Sequence, residues 1–123
     1  MYIIETNETP LIIIEESYGF ILFKGKSITV NTIGLYEPIM KYLKIFINKR
    51  PLDTKMIIDL EYFNTSSSKY LLEIFKILKH LNKKGFSLRI DWYYDEEDES
   101  MFDAGQDYSD ILSDIPFNLI IKK

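Results

Sequence analysis

Cysteine is absent from this chain of 123 residues, and glycine is scarce. Without cysteine, disulfides, thiolate metal sites and cysteine nucleophiles are excluded. The five glycines are scattered singly, so the sequence has no glycine-rich loop of the kind that cradles phosphate groups. Residues 1–5 lack the basic start and apolar stretch of a signal peptide, and no apolar run approaches the roughly 18 residues of a membrane span. We therefore expect a cytoplasmic protein without membrane insertion.

Histidine is nearly absent as well, which leaves little material for catalysis. The single histidine, His80, would lie about 20 Å along a helix from Ser66 or Ser67 at the helical rise, too far for a hydrogen bond within a catalytic triad. The acidic run 95–99 lacks the alternating spacing of a calcium loop. These observations predict no enzyme activity, no metal site and no cofactor. The weaker alternative is an enzyme that uses Asp95 or Asp98.

Charge is unevenly distributed, although the net charge is only −4. Nine acidic residues and no basic residue lie between Asp91 and Asp110, whereas eleven of the fifteen lysines and arginines lie between Lys41 and Arg89. The overall acidity disfavours nucleic-acid binding. The acidic block is either a solvated loop with a helix start or a docking surface for a basic protein.

Hydrophobic periodicity predicts a single α/β domain over residues 1–123. Strands are predicted at 2–6, 11–14, 20–24, 55–60, 86–94 and 116–121, and amphipathic helices at 33–47, 69–81 and 100–112. The order is a β-hairpin followed by α-β-α-β-α-β. Strands that alternate with helices indicate a mixed, mostly parallel sheet packed by about three helices, either on both faces or mainly on one.

Two residues suggest where elements end or begin. Gly25 is expected to terminate the second hairpin strand. Proline is tolerated in the first turn of a helix but disrupts its interior, so we expect the first long helix to start near Gly34, with Pro38 in its first turn.

The most informative segment is Asn64-Thr65-Ser66-Ser67-Ser68, which lies between a short apolar strand and an amphipathic helix. Free backbone N–H groups collect at such a junction and carry partial positive charge. Asn64 or Thr65 can cap the helix. However, one capping residue suffices, and serine is a mediocre helix former. The segment is therefore either an elaborate helix cap or a phosphorylation site.

Aromatic residues accompany the acidic block. Tyr93 and Tyr94 come at the end of a predicted strand, directly before Asp95. At strand spacing, alternate aromatics belong in the core. Exposed tyrosines within an acidic rim would instead form a protein interface. The sequence is compatible with either arrangement of Tyr93 and Tyr94.

The segment from Asp59 to Lys69, followed by Trp92-Tyr-Tyr-Asp-Glu and Met101-Phe-Asp-Ala-Gly, resembles the SiaC-type bacterial regulatory phosphoproteins. The resemblance extends from the Gly25-Lys26-Ser27 turn to the C-terminal strand. The layout is also similar to STAS-type anti-sigma-factor antagonists, in which a phosphorylated hydroxyl opens the helix after a central strand.

The resemblance implies a partner switch. A cognate serine/threonine kinase would phosphorylate Thr65, and a PP2C-like phosphatase would remove the phosphate. The unphosphorylated protein would bind and activate an effector such as a diguanylate cyclase, which raises cyclic di-GMP and promotes aggregation and biofilm. The expected partner-binding residues are Asn64, Thr65, Ser66, Ser67, Tyr94 and Asp95. The alternative is a STAS-like antagonist that binds a different effector, such as an anti-sigma factor.

One stretch departs from the family pattern. Many members carry Pro-Glu-Asn shortly after the Gly-x-Ser turn, whereas this chain has Thr29-Val30-Asn31 and retains only the asparagine. If the glutamate of other members contacts a partner, this departure implies a diverged partner here.

Overall fold

One six-stranded sheet, with its strands in chain order, forms the framework of the protein. The computed structural model describes all residues, Met1–Lys123. The strands are β1 (Tyr2–Ile3), β2 (Leu11–Glu15), β3 (Phe20–Ser27), β4 (Thr54–Phe63), β5 (Leu88–Tyr94) and β6 (Phe117–Ile121). Strands β1 to β3 pair antiparallel, and β3 to β6 pair parallel. The predicted hairpin followed by a parallel sheet is thus confirmed.

Three helices connect the parallel strands: α1 (Thr32–Lys49), α2 (Thr65–Lys83) and α3 (Glu99–Ile111). Residues alternate along β4, with Met56, Ile58 and Leu60 buried and their neighbours partly exposed. Right-handed crossovers between successive parallel strands place consecutive helices on the same face of a sheet. The fold therefore has two layers, with the helices on one face, which resolves the alternative left open by the sequence. None of the helices combines the length and apolar character needed to span a bilayer.

The prediction that Gly25 ends a strand is wrong. Strand β3 continues to Ser27, and the β3–β4 register shifts between Gly25 and Lys26. Gly25 has φ +120°, which side-chain-bearing residues rarely adopt. The glycine therefore marks an irregularity within the strand, a role that glycine often has in sheets, and does not terminate it.

The expected start of the first helix near Gly34 is also wrong. Helix α1 begins at Thr32 because Asn31 caps it, with the Asn31 side chain accepting a hydrogen bond of 3.1 Å from the Gly34 N–H. Pro38 consequently lies inside the helix, where it cannot donate the usual backbone bond to Gly34. The helix continues through this position because its buried face, including Tyr36 and Ile39, packs into the core.

All three helices begin at the same edge of the sheet, where the parallel strands end. Strand β4 runs to Phe63, three residues beyond its predicted end, and α2 starts at Thr65, four residues before its predicted start. The hydroxyl cluster, residues 65–68, therefore forms the first turn of α2. This edge carries the helix caps Asn31, Asn64 and Asp98.

Candidate functional site

Asn64 holds the start of α2 through four hydrogen bonds, in addition to a longer one from the Ser66 hydroxyl. Its side-chain oxygen accepts from the Ser67 N–H at 2.9 Å, and its backbone oxygen accepts from the Ser68 N–H at 3.0 Å. Its backbone N–H donates to Ser27 O at 3.0 Å, and its side-chain amide donates to Thr29 O at 3.1 Å. Asn64 is thus both the α2 cap and a tie to the segment that precedes α1, which settles the choice between Asn64 and Thr65 as the cap.

The four hydroxyls after Asn64 differ in their surroundings. Thr65 is exposed, and its hydroxyl makes no hydrogen bond within the chain. Ser66 is exposed, with its hydroxyl 3.4 Å from the Asn64 side-chain oxygen, to which it donates. The half-buried Ser68 donates to Thr65 O at 2.6 Å. Among these three hydroxyls, only that of Thr65 makes no hydrogen bond within the chain.

Ser67 is the fourth hydroxyl, and it is fully buried. Its Oγ donates to Ser27 O at 2.9 Å and lies 2.8 Å from Ser27 Oγ, which in turn contacts the hydroxyl of the buried Tyr36. Burial raises the pKa of Tyr36 and outweighs the lowering effect of the two serine hydroxyls. We predicted Ser67 as a partner-binding residue; its position in this structure gives it an internal bonding role and offers a partner no surface.

Exposed apolar residues lie close to Asn64 in the sequence or in the segment that is hydrogen-bonded to it. Val30, Ile33 and Tyr62, which we call the apolar rim, are 99%, 64% and 60% exposed. Val30 follows Thr29, whose carbonyl is bonded to Asn64, and Tyr62 comes two residues before Asn64. Exposed apolar residues grouped beside a polar site are typical of protein interaction surfaces.

Tyr94 and Asp95, the other predicted partner-binding residues, lie at the C-terminal end of β5, on the same sheet edge as Asn64. Tyr94 is half-buried against Phe102, with ring centroids 5.3 Å apart, whereas Asp95 is exposed. The neighbouring Tyr93 is half-buried on the opposite sheet face, where it pairs with Ile120 in the register. The structure thus brings Tyr94 and Asp95 to the sheet edge of Thr65, with Tyr94 partly packed in the core and Asp95 exposed to solvent.

Part of the acidic block, Asp98 and Glu99, forms the beginning of α3. Asp98 caps that helix by accepting from the Met101 N–H at 3.0 Å, and Glu99 occupies its first turn, where negative charge is stabilised. The five acidic residues 95–99 line an open hollow of about 810 Å³ together with Ser100 and Lys122. Their side chains, like the rest of the chain, form no group of three or more metal-ligating residues arranged around one point.

His80 lies in the last turn of α2, at the far end from the hydroxyl cluster. Its Nδ1 is 2.9 Å from Lys76 O, and basic residues at a helix C-terminus are stabilised by the helix dipole. Ser66 and Ser67 lie in the first turn of the same helix. The structure therefore does not bring the histidine and these serines together.

Several contacts that support the site were not predicted from the sequence. The Tyr108 hydroxyl donates to Ser68 O at 2.7 Å and so connects α3 to the first turn of α2. The hydrogen-bonded hydroxyls of Ser27, Ser67 and Tyr36 link β3, α2 and α1. Neither contact has a sequence signal, because each depends on the register and packing of distant elements.

Lys122 and Asp59 form a further unpredicted contact near the acidic hollow, with Lys122 Nζ 3.0 Å from Asp59 Oδ1. Burial lowers the pKa of Lys122, but the hydrogen bond and charge of Asp59, with the charges of Asp95 and Glu61, raise it overall. The pair joins the end of the chain to the central strand β4.

Comparison with known proteins places this geometry in a family. A family model described as the SiaC family regulatory phosphoprotein matches residues 3–122. An uncharacterized protein of Pseudomonas aeruginosa strain UCBPP-PA14 is 26% identical over 119 residues, which cover 95% of this chain and 92% of that protein.

Solved structures have the same fold. A chain from the crystal structure of the diguanylate cyclase SiaD in complex with its activator SiaC, from Pseudomonas aeruginosa, superposes with a TM-score of 0.91 at 23% identity and covers 99% of both chains. Apo-SiaC from the same organism gives a TM-score of 0.84 at 22% identity, covering 100% of this chain and 98% of that chain. The family model matches nearly the whole chain, and the protein therefore belongs to the SiaC family of regulatory phosphoproteins.

Proposed function

We propose that this protein is a non-enzymatic, cytoplasmic switch protein whose state is set by phosphorylation of Thr65. A cognate serine/threonine kinase adds the phosphate, and a PP2C-like phosphatase removes it. The unphosphorylated form binds an effector, for which a diguanylate cyclase is the best candidate because a SiaC chain of the same fold activates the cyclase SiaD. The observation that carries the proposal is the Thr65 hydroxyl, which is exposed and free of hydrogen bonds in the chain.

The start of α2 can accept a phosphate without unfolding. Asn64 already satisfies the N–H groups of Ser67 and Ser68, so the backbone N–H groups of Thr65 and Ser66, which have no partner within the helix, remain to face an anion on Thr65. The first turn of α2 contains no acidic residue, and the N-terminus of a helix stabilises negative charge. The exposed Lys69 follows one turn later, at a spacing that favours ion pairing on a helix.

The apolar rim explains how the phosphate would control binding. A partner that covers Val30 and Ile33 also covers the neighbourhood of Asn64, because Thr29 and Asn64 are hydrogen-bonded. Phosphorylation adds close to two negative charges there at neutral pH. Burying that charge in an apolar contact without a matching cation costs several kcal/mol, so phosphorylation blocks docking while the fold persists.

Two hydrogen bonds that hold the hydroxyl cluster support this division of roles. Ser67 fixes the first turn of α2 onto β3, and Tyr108 fixes Ser68 onto α3. The site is therefore held rigidly from below while Thr65 and Ser66 face outward. Rigid placement of an accessible hydroxyl suits repeated recognition by a kinase and a phosphatase.

The test begins with phosphopeptide mapping of the protein purified from its own host, together with Thr65→Ala and the matched control Ser66→Ala. We expect phosphate on Thr65 in the wild type and in Ser66→Ala, and none in Thr65→Ala. Phosphate found on Ser66 while Thr65 stays unmodified in every growth condition would contradict the proposal.

The second part measures binding to a purified diguanylate cyclase of the host and the resulting cyclic di-GMP synthesis. Thr65→Ala should bind like the unphosphorylated protein, and Thr65→Asp should bind at least about tenfold more weakly, which corresponds to about 1.4 kcal/mol. Equal cyclase affinity for both variants would refute the control of docking by charge. Binding of an anti-sigma factor in place of any cyclase would favour the STAS-like alternative.

A further inference from the structure

A groove lies between the C-terminal halves of α1 and α2, distant from the phosphorylation site. Its volume is about 550 Å³, within the range of protein sites that bind ligands. Ile47 and Ile77 supply its apolar floor, one from each helix. Thr65 is the first residue of α2, whereas the groove begins near Glu73, further along the same helix. A molecule in the groove would therefore not cover the hydroxyl cluster.

The groove is positively charged, although the chain as a whole is negative. Four lysines line it, Lys44, Lys76, Lys83 and Lys84, against the single carboxylate of Glu73. Glu73 is paired with Lys76 at 3.8 Å. Lys44, Lys83 and Lys84 form no ion pair with any carboxylate of the chain. The groove thus concentrates unneutralised positive charge around an apolar floor.

The helix dipoles account for only part of this charge. Both helices end here, and a basic residue in the last turn offsets the partial negative charge of a helix C-terminus. This explains Lys83 at the end of α2. Lys44 and Lys76 precede the helix ends, Lys49 and Lys83, by more than one turn, and the dipole effect fades beyond the last turn.

We propose that this basic groove docks an acidic amphipathic helix of a partner protein. Amphipathic helices bind hydrophobic grooves of other proteins through apolar residues at i, i+3, i+4 and i+7. From Glu73 to Lys84 the α2 wall is about 16 Å long at the helical rise, which accommodates about three turns. Apolar side chains of the partner would contact Ile47 and Ile77, and its carboxylates would pair with the lysines.

The test uses the full chain and a synthetic 14-residue peptide with leucine at i, i+3, i+4 and i+7 and glutamate on the flanking positions. The control peptide has the same composition in an order that breaks the leucine stripe. Methyl NMR of Ile47 and Ile77 reports binding, and the Thr65 methyl serves as a remote reference. We expect saturable shifts at both isoleucines, at least tenfold weaker binding of the control peptide, and weaker binding at high salt because the charges are screened.

Two charge-reversal variants sharpen the result. Lys44→Glu/Lys84→Glu should reduce affinity for the peptide at least tenfold, whereas Lys24→Glu/Lys123→Glu, with the same change of net charge at exposed sites outside the groove, should keep the wild-type affinity. Equal binding of both peptides, shifts confined to other residues, or equal effects of the two variants would overturn the proposal.

Two further outcomes would also overturn it by assigning the groove to another occupant. Displacement of the peptide from the same isoleucines by inorganic tripolyphosphate, with a higher affinity than the peptide has, would identify a phosphate site. Alternatively, self-association that Lys44→Glu/Lys84→Glu abolishes would identify the acidic segment of a second copy as the occupant. All readouts use unphosphorylated protein, so the result is independent of the role of Thr65.

Discussion

The Ser67 hydroxyl donates a hydrogen bond of 2.9 Å to the backbone oxygen of Ser27, forty residues earlier in the chain. This bond joins the first turn of α2 to the end of β3 inside the core, where both residues are fully buried. Thr65, two residues before Ser67, remains exposed on the outside of the same turn. One turn of helix therefore contains both an internal anchor and the candidate phosphorylation site.

Ser67→Ala is expected to destabilise the protein by about 1–2 kcal/mol, because it removes a buried hydroxyl that bonds to both oxygens of Ser27. Ser27 O still accepts from the Asn64 N–H, which limits the loss. Urea denaturation measures the change in the free energy of unfolding, with the exposed Ser66→Ala as the control, expected to change it by less than about 0.5 kcal/mol.

The same variant separates an internal role for Ser67 from partner contact. Below its melting temperature, Ser67→Ala should bind the effector with wild-type affinity, since the side chain is buried. An unchanged stability combined with lost effector binding would instead support the prediction from the sequence that Ser67 contacts the partner.

Gly105→Ala is expected to cost about 1–3 kcal/mol of stability by overpacking. A Cβ at this position would lie 2.6 Å from Trp92 Cδ1 and 2.7 Å from Leu119 Cδ2, so α3 would have to move away from β5 and β6. The higher helix propensity of alanine offsets about 1 kcal/mol of that cost. Guanidinium denaturation measures the stability, and the emission of Trp92, the only tryptophan, reports the displacement.

The neighbouring Gln106→Ala serves as the control for Gly105→Ala, because Gln106 is exposed on the same helix. We expect a change of less than about 0.5 kcal/mol there. A Gly105→Ala protein that is as stable as the wild type, with unaltered tryptophan emission, would show that the helix does not pack as tightly as described.

The free energy of unfolding is expected to fall as the pH rises above about 10, the ordinary pKa of tyrosine. Burial raises the pKa of the Tyr108 hydroxyl in the folded state, and burial raises the pKa of Tyr36 as well. In this pH range the unfolded chain releases its tyrosine protons while the folded chain retains them. The unfolded state then binds fewer protons, so stability decreases with pH.

Urea denaturation at pH 8, 9, 10 and 10.5 measures this dependence. Tyr108→Phe should flatten the alkaline slope and, by losing the bond to Ser68 O, should also reduce stability at pH 8 by about 1 kcal/mol. The exposed Tyr18→Phe is the control and should keep the wild-type slope. A slope that Tyr108→Phe leaves unchanged would argue against titration of this residue.

Local sequence signals predicted the elements well where they depend on neighbours in the chain. The alternating apolar pattern identified β5 and the amphipathic pattern identified α2, although both boundaries moved by a few residues. The predicted start of α1 is wrong because Pro38 indicates a later start, whereas the helix is capped at Asn31 and the packing of its buried face tolerates the proline.

The candidate site was predictable only in part. A cap at Asn64 or Thr65 follows from the strand-to-helix junction, but the choice of Asn64 follows only from the structure, and Thr65 as the phosphorylation site is implied by the family resemblance. The burial of Ser67 does not follow from the sequence, because it requires Ser27 and Tyr36 to meet from separate elements. Likewise, the exposure of Val30 depends on how the loop before α1 is held against Asn64.

Val30 provides the sharpest functional test, because it is 99% exposed and follows Thr29, whose backbone oxygen accepts a hydrogen bond from the Asn64 side chain. Val30→Glu should leave the free energy of unfolding within about 0.5 kcal/mol of the wild type. It should nevertheless weaken binding to the host cyclase at least about tenfold, because a carboxylate would be desolvated against an apolar partner surface.

The experiment compares cyclase affinity for Val30→Glu, Val30→Ala and Tyr18→Ser by calorimetry, with all proteins unphosphorylated. Val30→Ala should weaken binding only slightly, since it keeps an apolar residue at this position. Tyr18→Ser removes an exposed aromatic at the hairpin turn between β2 and β3 and should bind like the wild type. Undiminished affinity of Val30→Glu would mean that the partner does not contact this part of the apolar rim, and the recognition surface would then be sought around Tyr94 and Asp95.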